Sequence, residues 1–128
     1  MTFPRLRLLY VTGNSMYPGL AYGDCAIVKL RMDESEPLPS VGSIVLFRHG
    51  PKNWEFVKRV AATPGDLVPG SSETVPLHHV WVLGDNPKWS SDSRHFGAIA
   101  AAELVGTVIL RIPIGIGPGA TDSIAYDT

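Results

Sequence analysis

Cysteine is almost absent, with Cys25 the single thiol among 128 residues. One thiol closes no internal disulfide, and the scattered His49, His78, His79 and His95 give it no metal-ligand spacing, so neither a disulfide scaffold nor a zinc site is expected. Cys25 reads instead as a small buried strand residue. A charge excess is also lacking. Eleven Lys and Arg stand against twelve Asp and Glu, with no basic run to neutralise a stretch of phosphates, which argues against a nucleic acid partner. Long apolar runs are missing too. The longest, Leu104 to Leu110, is broken by Gly106 and Thr107 and stops at Arg111, far short of the roughly 18 residues a spanning helix needs. Arg5 and Arg7 interrupt the N-terminal apolar stretch, so it lacks the continuous centre of a secretory leader. The expectation is a soluble, cytoplasmic chain, with membrane association through peripheral contact as the alternative.

Sustained helical periodicity is absent as well. Eleven prolines and thirteen glycines are spread through the chain and break most long helices. What stands in its place is a series of short apolar, β-branched runs, at Leu8–Val11, Ala26–Leu30, Ile44–Phe47, Phe56–Ala61, Val80–Leu83 and Val105–Ile112, each bounded by Gly, Pro, Asp or Asn. This punctuation predicts an all-β, mainly antiparallel domain. Met32–Ser40 and Pro69–Pro76 read as loops, and Ala98–Leu104 has room for one short turn. With 45% hydrophobic residues there is material for one core. Residues 1–112 are therefore assigned to a single domain, and the Gly-rich, then polar, stretch 113–128 to a flexible C-terminal tail.

Three segments carry chemistry. Gly13-Asn14-Ser15-Met16-Tyr17-Pro18 follows a strand candidate and places a serine in a turn, where its hydroxyl can be exposed. Phe56-Val57-Lys58-Arg59-Val60 sets a lysine in a strand, on the opposite face from Val57 and Arg59. Facing water, it would be an ordinary solvated lysine; facing the core, it would be a neutral amine able to accept a hydroxyl proton. The third, from Gly84 to Gly97, is a polar, turn-rich stretch in which Asp92 and Arg94 are placed to pair.

In order, GNSMYP (13–18), VGSIVLF (41–47), FVKRVAATPGD (56–66) and VLGDNPKWSSDSRHFG (82–97) resemble, box by box, the signal peptidase I family of Ser-Lys proteases. The resemblance implies a coiled β-sheet domain and a cofactor-free serine endopeptidase. It matches Ser15 to the nucleophile, Lys58 to the general base, and Ser90 to the hydroxyl that orients the lysine. Asp92 and Arg94 match a pair that props up the site wall, with Gly84, Asp85 and Asn86 in the same supporting class. The backbone N–H of Ser15 is the implied oxyanion donor. Gly13 stands where some members carry a second, hydroxyl donor. Two further departures are Gly19, commonly threonine and expected to alter the substrate pocket, and Ser43, commonly aspartate.

The compact form is closest to the anchor-less nickel-type superoxide dismutase maturation proteases. The expected partner is thus a precursor protein or leader peptide, foremost a nickel superoxide dismutase precursor. The alternatives are a signal peptidase acting on secretory precursors at the membrane and a LexA-like self-cleaving regulator. Against the regulator, only fourteen residues precede Ser15, too few for a DNA-binding domain. A Ser15-His95-Asp92 triad is the competing catalytic reading.

Overall fold

The computed structural model describes residues 3–114; of the predicted tail 113–128, residues 115–128 lie outside them. Seven strands follow one another as β1 (Leu6–Tyr10), β2 (Cys25–Leu30), β3 (Ile44–His49), β4 (Trp54–Ala62), β5 (His79–Leu83), β6 (Ile99–Ala100) and β7 (Leu104–Ile112). Each contains or overlaps a predicted apolar run except β6, which with a 3₁₀ turn at Ala101–Glu103 occupies the stretch read as one short turn. All recorded pairings are antiparallel, in the order β1-β2-β7-β3-β4-β5-β6. The domain is thus all-β, as its punctuation predicts.

The sheet buries both faces, and this explains a departure from simple alternation. In β3, Leu46 packs with Leu9, Val11, Met16, Leu20, Ala26, Val28 and Val57 in one apolar cluster. Its neighbours Val45 and Phe47 pack in a second, with Val60, Val80, Val82, Ile99 and Leu104. Side chains that alternate across a strand therefore feed two cores, and consecutive β3 residues are wholly buried. At about 1.5–3 kcal/mol for each large apolar side chain removed from water, both clusters weigh in stability. Phe96 joins the second through Phe47 and Phe56, with ring centroids 6.3 and 5.8 Å away. Phe96 ends a one-turn helix, α1 (Ser93–Phe96), so the polar stretch read as loop is pinned to the core.

Strand β1 lies at one edge of the sheet, with Leu9 buried and Leu6, Leu8 and Tyr10 exposed. It nevertheless meets β4, which is not its ladder neighbour. The Arg7 guanidinium donates to both carboxylate oxygens of Glu55 at 2.7 and 2.6 Å. The sheet must curl for these two strands to touch, giving the coiled form implied by the family resemblance. Segment 69–76 is more ordered than its loop reading, because Val75 is buried and Val68 and Val75 donate backbone bonds to Glu73 and Asp66 at 2.8 and 2.9 Å. Cys25 is half-buried at the start of β2.

Candidate active site

Residues 11–24 connect β1 to β2 as a closed loop. Its neck is tied by Val11 N–H to Asp24 C=O at 2.9 Å and Gly23 N–H to Val11 C=O at 2.7 Å. Met16 and Leu20, both fully buried, anchor its tip in the first core. Ser15 is consequently held beside Met16 and has no exposed surface at all, contrary to the exposed hydroxyl expected of a turn serine. The reason is that the loop folds down onto the segment after β5. Asn86 donates its backbone N–H to Ser15 C=O at 2.8 Å and its side-chain amide to Asn14 C=O at 3.0 Å. Among the described residues Ser15 Oγ finds no hydrogen-bond partner.

Lys58 sits in β4 opposite Val45, fully buried, with Nζ 5.9 Å from the centre of the Phe56 ring. The solvated-lysine reading is therefore excluded. The β4–β5 ladder pairs Val60 with Val82 and Arg59 with Leu83, so one further step sets Lys58 across from Gly84. Gly84 is where the other segments converge. A methyl group there would collide with Oγ and Cβ of Ser90 and stand 2.8 Å from the Ser15 carbonyl oxygen. Only glycine lets these backbones approach so closely.

Asp92 organises the far wall. Fully buried, it accepts from Ser90 Oγ at 2.8 Å, Gly84 N–H at 2.9 Å, and Arg94 Nε and backbone N–H at 2.8 and 3.1 Å. It also caps α1, its own N–H pointing to His95 Nδ1 at 3.3 Å. Burial alone would raise its pKa, but the hydrogen bonds from Arg94, Gly84 and Ser90 together outweigh burial and hold the carboxyl at about 2, against an ordinary 3.8. Because the folded value is depressed, the stabilisation is complete above the unfolded pKa and lost as pH falls through 3.8 toward 2. The shift corresponds to about 2 kcal/mol. Denaturant melts of wild type and Asp92→Asn at pH 5 and pH 2 should show wild type losing about that much more than the variant; equal losses would refute the assignment.

With this geometry in view, the comparisons decide the family. The family described as signal peptidase, peptidase S26, matches residues 4–73 and 67–113. The chain belongs to this family. Among its relatives are the mitochondrial ATP-independent inner membrane protease subunit 1a of Arabidopsis thaliana, 31% identical over 80% of this chain and 68% of that protein. The mitochondrial inner membrane protease subunit 1 of Schizosaccharomyces pombe is 38% identical over 57% of this chain and 51% of its own. Signal peptidase I of Bacillus caldolyticus is 28% identical over 79% and 76%. The chain thus spans about half to three quarters of these relatives' lengths. Among the described residues, no helix is long and apolar enough to cross a membrane.

Within this signal peptidase frame the structure brings Ser15, Gly84, Asn86 and Ser90 together, with Lys58 across the ladder. Arg94 binds Asp92 and reaches Pro87 C=O at 3.0 Å, so it braces the wall from outside. Asp85 points elsewhere, to Arg59, which grips it at 2.8 and 2.7 Å and also donates to Gly42 C=O at 2.8 Å. Gly19 lies against this pair, since a methyl there would collide with Asp85 Oδ2 and come within 2.9 Å of Arg59 Nη2. Arg59 is a partner the sequence reading missed, although its place beside Lys58 on the opposite face was the available signal. His95, the base of the competing triad, has a side chain more than half exposed and sets its Nδ1 against the Asp92 N–H, whereas Ser15 is fully buried, as Lys58 is.

Proposed function

We propose that the chain is a serine endopeptidase that removes an N-terminal leader from a precursor protein, with Ser15 as nucleophile and Lys58 as general base. One observation carries the reading. A fully buried lysine stands across from Gly84, the point where the Ser15 carbonyl and the Ser90 hydroxyl converge. Burial disfavours an ammonium, and the neutral amine is the form that accepts a hydroxyl proton. As Ser15 Oγ attacks the scissile carbonyl, its proton passes to Lys58 Nζ; the amine then protonates the departing nitrogen, leaving an acyl-enzyme on Ser15. Water, deprotonated by the same amine, releases the product. The family resemblance makes the Ser15 N–H the donor to the developing oxyanion.

Ser90 fits an orienting role with a definite polarity. Its hydroxyl proton is given to Asp92, so in the proposed role its oxygen would meet the Lys58 amine with lone pairs and accept an N–H from it, turning the amine's own lone pair elsewhere. Since Ser15 and Lys58 are both inaccessible, substrate must displace part of the surrounding wall. The resemblance implies small residues at and two before the cleavage point, on an extended segment.

The narrower expectation of a nickel superoxide dismutase precursor rests on the resemblance of the compact form and of the 82–97 box. Two observations favour precursors presented at a membrane. The relatives are named as inner membrane proteases and signal peptidases, and Leu6, Leu8, Tyr10 and Leu110 leave apolar surface exposed on β1 and β7. The test incubates purified chain with a secretory precursor plus anionic vesicles, and separately with a leader-bearing nickel superoxide dismutase precursor without lipid. New N-termini are read by mass spectrometry. Cleavage of the first alone assigns membrane-delivered precursors, and cleavage of the second a soluble maturation role. If folded chain leaves both intact, the proposal fails.

A further inference from the structure

Asp24, at 1% exposure, closes the neck of the nucleophile loop, and its partner arrives from the far end of the sequence. Arg111 Nε, on β7, donates to Asp24 Oδ2 at 2.8 Å, while its Nη1 donates to Pro18 C=O at 3.0 Å. Asp24 Oδ2 also accepts the Ala21 N–H at 2.8 Å. Arg111 stands opposite Ala26 in the β2–β7 ladder, so its side chain reaches past the start of β2 to hold neck and tip together. One guanidinium fork thus fixes two points of the loop, a geometry a lysine cannot reproduce.

We propose that Arg111 is a positioning residue for Ser15, an inference that rests on the assignment of Ser15 as nucleophile. The loop is clamped from two sides. Asn86 holds the Ser15 carbonyl from the β5 flank, and Arg111 holds Pro18 and Asp24 from the β7 flank. With the second clamp removed, the core anchors Met16 and Leu20, the neck bonds and the Asn86 clamp remain, and the loop shifts about them. The atom whose place this shift changes is Ser15 Oγ, which among the described residues has no hydrogen bond of its own. Lys58 and Asp92 are on other segments and keep their places. Arg111 therefore acts on the rate of attack and leaves the proton inventory unchanged.

The control is built into the fold. Arg7–Glu55 is an equally short ion pair between distant strands and touches no part of the loop. Arg111→Met, Arg111→Lys, Arg7→Met and Ser15→Ala are assayed on a precursor the wild type cleaves, well below each variant's melting temperature. For Arg111→Met, kcat should fall by about 30- to 100-fold, the scale of a displacement near 1 Å, with KM within about twofold and the pH profile unmoved. Arg111→Lys, retaining charge beside Asp24 but one prong of the fork, should fall by about tenfold. Arg7→Met should lose stability yet keep kcat within about twofold. If Arg111→Met does not fold, Arg111→Lys decides by the same comparison. An Arg111 variant no slower than Arg7→Met, or one changed only in KM, overturns the inference. Retained activity in Ser15→Ala overturns the nucleophile assignment itself, a separate outcome.

Discussion

Ser15→Ala and Lys58→Met should each reduce cleavage by at least about four orders of magnitude, and the double variant should be no worse than either, because nucleophile and base act as one unit. Methionine is the better test at position 58, since it keeps most of the length and volume of a side chain that is fully buried, and a matching melting temperature then separates lost chemistry from lost fold. Lys58→Arg should be equally inactive, because a guanidinium stays protonated and cannot serve as base. The sign of the pH dependence follows from the active form being the neutral amine. Wild-type activity rises with pH as the Lys58 proton is lost, with a midpoint below the ordinary lysine value of about 10.4. Replacing His95 should leave that curve in place. Near-normal turnover by Ser15→Ala or Lys58→Met, or a curve that vanishes with His95, would remove the dyad.

Gly84→Ala should be nearly as damaging through one methyl group. The added carbon meets Ser90 Oγ and Cβ on one side and the Ser15 carbonyl on the other, while the Gly84 N–H is committed to Asp92 at 2.9 Å. Ser90 must therefore leave Asp92, or the end of β5 must move away from Lys58. Overpacking of this kind costs about 1–3 kcal/mol, which in a domain of this size shifts the melting temperature by several degrees. Activity should fall by at least about a hundredfold, since either relief displaces a group of the site. Adding Ser90→Gly removes the two closest colliding atoms but leaves the Ser15 carbonyl, so the double variant should regain part of the stability and stay slow. If Gly84→Ala alone melts and turns over like wild type, the convergence of these segments on Gly84 is wrong.

Strands were legible because their signals are local. Val80–Leu83 or Ile44–Phe47, flanked by turn formers, states its state within a few residues. Lys58 was legible only as a choice between water and core, and the deciding fact is the second core on its face of β4, which no window around residue 58 contains. The burial of Ser15 was hidden for the same reason. A turn looks exposed until another segment, here 84–86, is known to close over it. Helix α1 had a signal that went unused: Asp92 followed three residues later by His95, a capping pair in which histidine takes the usual Glu or Gln position. Asp24 and Arg111, 87 residues apart, had none. A pair that distant can be read only after β7 is known to lie beside β2, and strand order is the part of a sheet that local pattern does not encode.

That strand order also bears on how the enzyme comes into being. Of the described strands β7 comes last in sequence but sits in the interior of the sheet, between β2 and β3. A nascent chain that has emerged only as far as β6 holds two half-sheets with no ladder to join them, and each presents an unsatisfied row of backbone donors and acceptors where β7 belongs. Insertion of that strand is a long-range event, slow compared with forming a hairpin. Ser15, in the β1–β2 half, and Lys58, in the β3–β6 half, are thus brought onto one continuous sheet by a strand that follows both in sequence.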